Sequence, residues 1–186
     1  MAALGLCALG PDRAVADVPL KALQGFSIEA EYWVGEHYLL LRGNERKNIT
    51  DSFRYTLAIF VSDKGQIFYR RAFFDQTSGY KKPVWVFEQR RGRKDEALTY
   101  DLRSGFTFLN IPADDNRNST FLEIVNFAIS GSGSSMSCNV SLRWALKQGE
   151  KEYRAVNRDF TKIIDRRAIQ SSTCKVFKGN ALATKR

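Results

Sequence analysis

The chain has 186 residues, 44% hydrophobic and 26% charged, with 29 Lys and Arg against 20 Asp and Glu for a formal net charge of +9. That length suits one domain burying roughly two-thirds or more of its unfolded surface, and only four prolines and 13 glycines exclude a collagenous or low-complexity chain. The basic balance favours acidic partners, and no apolar run approaches the ~20 residues of a membrane-spanning helix.

Residues 1–10, MAALGLCALG, are small and apolar, and Ala14-Val15-Ala16 has the small-x-small pattern that precedes signal cleavage. No Lys or Arg precedes the apolar run, so residues 1–16 read as a partial signal-peptide-like segment. Export to a periplasmic or secreted location is the expectation, with a cytoplasmic location as the alternative. Lipidation at Cys7 would prefer a small residue where Leu6 stands. Cleavage would leave two cysteines, Cys138 and Cys174, and an even pair in an oxidising compartment reads as one disulfide. Closing that 36-residue separation stabilises by roughly 3–4 kcal/mol in the loop-entropy account. Two buried free thiols in a cytosolic protein are the alternative.

Residues 17–179 read as a single β domain and 180–186 as a frayed tail. A short lead-in with one helical turn around residues 19–23 precedes a first strand over 26–34, where Phe26, Ile28, Ala30, Tyr32 and Val34 alternate with Ser27, Glu29, Glu31 and Trp33. Residues 37–41 form a second strand or continue a bent first one, and the polar, basic stretch 42–51 reads as a loop. Residues 53–74 carry the strongest signal. Two apolar runs flank Asp63-Lys64-Gly65, a three-residue hairpin loop whose glycine takes the left-handed position. The pairs are then Val61–Ile67, Phe60–Phe68, Ile59–Tyr69, Ala58–Arg70 and Leu57–Arg71. One face carries Tyr55, Leu57, Ile59, Val61, Ile67, Tyr69 and Phe73, with Arg71 as its only charge.

Further strands are expected at 84–89, 97–103, 106–111, 121–129, 137–146, 152–157 and 174–177, with Arg90–Lys94 at one hairpin tip and 147–151 at another. Residues 158–172 read as a helical turn or irregular crossover. At 121–129 a two-turn helix is the competing reading, and the β-branched and aromatic content favours a strand. Nine to ten short strands point to an all-β fold, a single antiparallel sandwich or barrel.

Acid–base groups are few. His37 is the only histidine, so any Ser-His-Asp or Cys-His site must use it; a surface or turn histidine is the plainer reading. Gly131-Ser132-Gly133-Ser134 precedes a strand rather than a helix and reads as a linker, not a nucleophile elbow or phosphate cradle. Glu29 and Glu31 share the polar face of a strand. Asp114, Asn116 and Asn118 have calcium-loop spacing, but Ser119 and Val125 stand where Gly and Glu are needed. No catalytic residue, metal ligand set or cofactor is expected. Basic clusters are the stronger feature: Arg42, Arg46 and Lys47; Lys81 and Lys82; and Arg90, Arg91, Arg93 and Lys94. They suit an anionic glycan, a lipid head group or an acidic protein surface. The plainer reading of these charges is solvated loops that block edge-to-edge pairing. Arg70 and Arg71 among Phe68, Tyr69, Phe73 and Phe74 also suit single-stranded nucleic acid on a barrel, should the chain be cytoplasmic.

The stretches LQGFSIEAEYW, YTLAIFVSDKGQIFYRR and SMSCNVSLRW … STCKVFKGN, within residues 20–179, resemble a group of small exported bacterial proteins of unassigned function. That resemblance implies a periplasmic or surface β-domain with a disulfide, and no activity. Leu23-Gln24-Gly25 before a first strand is also similar to the opening of lipocalins, which implies a small-ligand carrier. The family's Gly-x-Trp motif is not kept, since Phe26 and Ser27 follow Gly25. The leading expectation is a non-enzymatic binding or envelope-associated accessory module with basic loops for an anionic partner. A carrier of a small hydrophobic ligand is the alternative, followed by a nucleic-acid-binding barrel and a hydrolase built on His37.

Overall fold

The alternating segments become ten strands in a computed structural model that describes residues 17–75, 85–88, 96–110, 119–156 and 159–183, with side chains described at 17–71, 98–109, 119–156 and 159–183. They are β1 (Phe26–Arg42), β2 (Glu45–Val61), β3 (Ile67–Asp75), β4 (Trp85–Glu88), β5 (Glu96–Asp101), β6 (Gly105–Asn110), β7 (Phe121–Ser130), β8 (Ser137–Leu146), β9 (Arg154–Val156) and β10 (Thr161–Lys178). The fold is all-β. A six-stranded antiparallel sheet, ordered β4-β3-β2-β1-β10-β9, curls into a half-barrel, and a four-stranded antiparallel sheet, β5-β6-β7-β8, packs against it. A 3₁₀ turn at Leu20–Leu23 leads in and buries Leu23.

The β2–β3 hairpin has the expected register from Val61↔Ile67 to Leu57↔Arg71. Gly65 stands at φ +74°, and the Ser62 and Gly65 amides donate to the Gln66 and Ser62 carbonyls, closing the three-residue loop. One face of that hairpin joins Ile28, Tyr32 and Val34 of β1 in a core completed by Phe106, Phe108, Val125, Phe127 and Ile129 of the second sheet. Burying a side chain of that size contributes roughly 1.5–3 kcal/mol. The strand reading of β7 also holds, with its burial alternating along the whole element.

Several expectations are corrected. Residues 42–51 are not a loop: β1 and β2 run on to a final Arg42↔Glu45 pair, turned by Gly43-Asn44 with Gly43 at φ +56°. Residues 158–172 are not irregular, because β10 is one 18-residue strand that absorbs the expected short strand at 174–177. Residues 147–151 do not turn a hairpin, since β8 and β9 lie in different sheets; the other expected tip, Arg90–Lys94, lies outside the described residues. The tail is not frayed as far as Ala183. Ser27 Oγ donates to the Gly179 carbonyl at 2.6 Å and accepts from the Ala181 amide, while Arg70 donates to the Leu182 carbonyl at 3.1 Å.

Cys138 on β8 and Cys174 on β10 form a disulfide with Cα atoms 5.5 Å apart, a normal span for the bond. It ties the two sheets together where, among the described residues, no ladder joins them. Among the described residues no helix is long and apolar enough to cross a membrane.

Candidate functional site

Among the described residues, charge that bears on function stands in a layer inside the core, on the outer face of the curled sheet, and at the far end of the β1–β2 hairpin. The inner layer comes from strand periodicity. In β1 the inward positions run Val34, Glu36, Tyr38; in β2 they run Phe53, Asp51, Ile49; in β7 they run Val125, Glu123, Phe121; in β10 they run Ile169, Arg167, Ile164. On each strand one charge separates the main core from a second apolar cluster of Tyr38, Phe121, Ile164 and the partly buried Trp144 and Tyr153. Glu36, Asp51, Glu123, Lys162 and Arg167 are all at least 93% buried.

Arg167 is the hub. Its Nε donates to Glu123 Oε2 at 2.8 Å, Nη1 pairs with Glu36, and Nη2 reaches Glu123 at 2.7 Å and the Tyr55 hydroxyl at 2.9 Å. Lys162 Nζ lies 3.6 Å from Glu36 and 4.5 Å from the centre of the Tyr38 ring, and the Tyr38 hydroxyl donates to Asp51 at 2.7 Å. Deeper in the core, Arg71 is completely buried with its guanidinium 4.8 Å from both the Tyr55 and Phe108 ring centres. Arg71, Lys162 and Arg167 thus balance Glu36, Asp51 and Glu123. Burying such charges is tolerable only when each has partners. Beside them, burial pushes the Tyr32 phenol well above its ordinary range; the Arg71 and Arg167 cations oppose that shift, and Glu123 adds to it.

Arg167 faces inward because the β1–β10 ladder is bulged twice. The register set by Phe26↔Lys178 would bring Ala168 opposite Glu36. A shift between Trp33 and Val34 makes the pair Glu36↔Arg167 instead, and a second shift between His37 and Tyr38 restores the earlier parity, so Ile164 and Lys162 point inward. Gln170 and Asp165 are the extra residues. Bulges that re-aim a side chain are common beside functional sites.

On the outer face those bulges border a shallow basin of about 490 Å³, lined by Gly35, Glu36, His37, Thr50, Asp165, Arg166, Ala168, Ile169 and Gln170. His37 Nδ1 lies 3.8 Å from Asp165 Oδ2, with the two side chains 49% and 83% exposed. That is too long for a hydrogen bond and too open for the cleft a triad needs. A second groove of about 470 Å³ lies along the outer face beside the tail. Its glutamates are engaged: Glu29 with Lys175 at 2.8 Å and Glu31 with Arg54 at 2.6 Å, as expected of a solvated strand face.

Arg42, Arg46 and Lys47 stand, on strands rather than a loop, at the exposed end of the β1–β2 hairpin, with Arg46 on the outer face and Arg42 and Lys47 on the opposite one. Among the described residues no ion pair engages them. Lys81, Lys82, Arg90, Arg91, Arg93 and Lys94 lie outside the described residues, as do Asp114, Asn116 and Asn118. Arg71 is not a surface cation for stacked bases, because alternation carries it into the core. Gly131–Ser134 belongs to the β7–β8 connection. Among the described residues no cluster of His, Cys, Asp or Glu is placed to hold a metal ion.

The inner layer escaped the sequence reading. Arg71 on an apolar face was its one legible member. Arg167 sits where the β10 bulges break the period of two, Glu123 where helix-like spacing competes with it, and Glu36 at the expected bend after the first strand. The hairpin tip had a signal in Gly43-Asn44, a two-residue turn pair, outweighed by the polarity around it. No protein-family model, curated protein or solved structure matches the chain.

Proposed function

We propose that this protein is a non-enzymatic, exported binding module that presents the basic end of its β1–β2 hairpin to an anionic partner of the cell envelope. The observation that carries this reading is a contrast in pairing. The outward glutamates of the curled sheet have cationic partners, whereas Arg42, Arg46 and Lys47 stand exposed at the hairpin end with no ion pair among the described residues. Cations held on a rigid two-stranded ribbon attract anions without first having to be ordered. The disulfide that ties the two sheets suits an oxidising compartment. The carrier reading ranks second. It needs room along the hairpin face, where Tyr55, Leu57, Ile59 and Tyr69 pack against Phe106, Phe108 and Phe127.

The test is binding of the full chain to long polygalacturonate and to phosphatidylglycerol vesicles across a salt series. Affinity for at least one should fall steeply with salt and weaken further in the Arg42→Ser/Arg46→Ser/Lys47→Ser variant. Salt-insensitive binding that the triple variant leaves unchanged would overturn the reading.

A further inference from the structure

We propose that the basin between the two β10 bulges is a subsite for a uronic-acid-bearing saccharide. This names the partner class for the anionic-partner reading above and rests on it. The pairing of β2, β1 and β10 lays the outward residues in cross-strand rows: Arg54–Trp33–Ser171, then Ser52–Gly35–Ala168, then Thr50–His37–Arg166. Successive rows are about 6.5–7 Å apart along the strands. The middle row carries only small side chains, so the face dips between Gln170, which folds over Gly35, and His37 with Arg166.

The bulges furnish this dip. Gln170, displaced from the ladder, lies over Gly35 so closely that a Cβ there would collide with its amide nitrogen, and its Oε1 accepts from the Ser52 hydroxyl at 2.9 Å. Asp165, displaced at the other bulge, stands beside His37. The lining therefore offers a planar amide, a threonine hydroxyl, an imidazole and a carboxylate, a mixed donor and acceptor set that matches a ligand rich in hydroxyl groups. Arg166 is exposed, has no ion pair among the described residues, and presents the fork geometry that pairs with a carboxylate. Two rows beyond His37 the same face reaches Leu41↔Arg46 at the hairpin end, so an acidic polysaccharide seated in the basin runs on toward Arg46 of the tip.

Titration calorimetry of the full chain with trigalacturonate, with maltotriose as the uncharged control, tests the inference. Trigalacturonate should bind and maltotriose should bind at least about tenfold more weakly, the worth of one charge-assisted pair. Arg166→Ala and His37→Ala, both exposed and facing away from the core, should each weaken trigalacturonate binding. The tip triple variant should leave it within about twofold, as expected for separate sites, while still weakening the long polymer. Absence of trigalacturonate binding, or binding that ignores Arg166→Ala and His37→Ala, overturns the subsite. Polymer binding that still depends on the tip would then leave the anionic-partner reading standing, and loss of that dependence too would remove both. A single-stranded oligodeoxynucleotide that binds more tightly than trigalacturonate through Arg166 would also overturn the saccharide assignment.

Discussion

Arg167 and Arg46 belong to the same curled sheet, and each has a glutamate across the ladder or beside it in the chain. Arg167 is 4% exposed and divides its guanidinium among Glu36, Glu123 and Tyr55. Arg46 stands in water at the hairpin end, next to Glu45 and opposite Leu41, with no ion pair among the described residues. The side chain is the same and the surroundings set what it does. Inside, removing the cation takes from Glu36 and Glu123 a close cationic partner in a water-poor core, so the cost is that of breaking a buried ion pair. Outside, water already solvates the group, and its value lies in long-range attraction that salt screens.

The sharpest way to probe this contrast is Arg167→Met against Arg46→Met. The first should cost about 3–5 kcal/mol in urea or guanidinium unfolding and the second less than about 0.5 kcal/mol. Equal effects would show that the inner layer is hydrated in solution. Replacing Cys138 and Cys174 by Ser should cost roughly 3–4 kcal/mol, since the bond joins two sheets that no ladder connects among the described residues; a loss below about 1 kcal/mol would point to a denatured state already compact around that seam.

A smaller effect comes from Tyr32, whose phenol is held protonated by burial. With the folded value raised above the unfolded one, its contribution is fully present below about pH 10 and is lost as pH rises beyond that, at up to ~1.4 kcal/mol per pH unit. Tyr32→Phe should flatten the alkaline limb of the stability profile, and a limb unchanged by that substitution would assign it to other groups. Small changes per site are also expected of the Arg42→Ser/Arg46→Ser/Lys47→Ser variant. Its unfolding midpoint should stay close to wild type, about 0.5 kcal/mol or less per site, while its binding to polyanions becomes less salt-dependent. A large loss of stability would mean that the tip is structural.

The register of β2–β3 was legible because Asp63-Lys64-Gly65 fixes the turn and the period of two does the rest. Phe121–Ser130 was harder to read, because Glu123 occupies an inward position that a simple polarity rule assigns to solvent. The long arms of β1 and β2 near their shared turn were hidden by Arg42, Glu45, Arg46 and Lys47, whose polarity resembles that of a loop. Arg42, Arg46 and Lys47 were nevertheless recognised as a basic group. The basin was not, since Gly35, Thr50 and Gln170 become neighbours only through pairing of three strands distant in the chain.

The sequence by itself determined the all-β class, the central hairpin and its faces, the pair of cysteines free to join, and the excess of basic groups, because turns, alternation and charge are local properties. Only the tertiary structure decided which charges lie inside. Two inserted residues in β10, Asp165 and Gln170, reverse the parity of the segment between them. That reversal turns Arg167 toward Glu36 and Glu123 and leaves Arg166 outside beside His37. Parity along a bulged strand depends on its partner's register, a relation between distant segments that no local pattern carries.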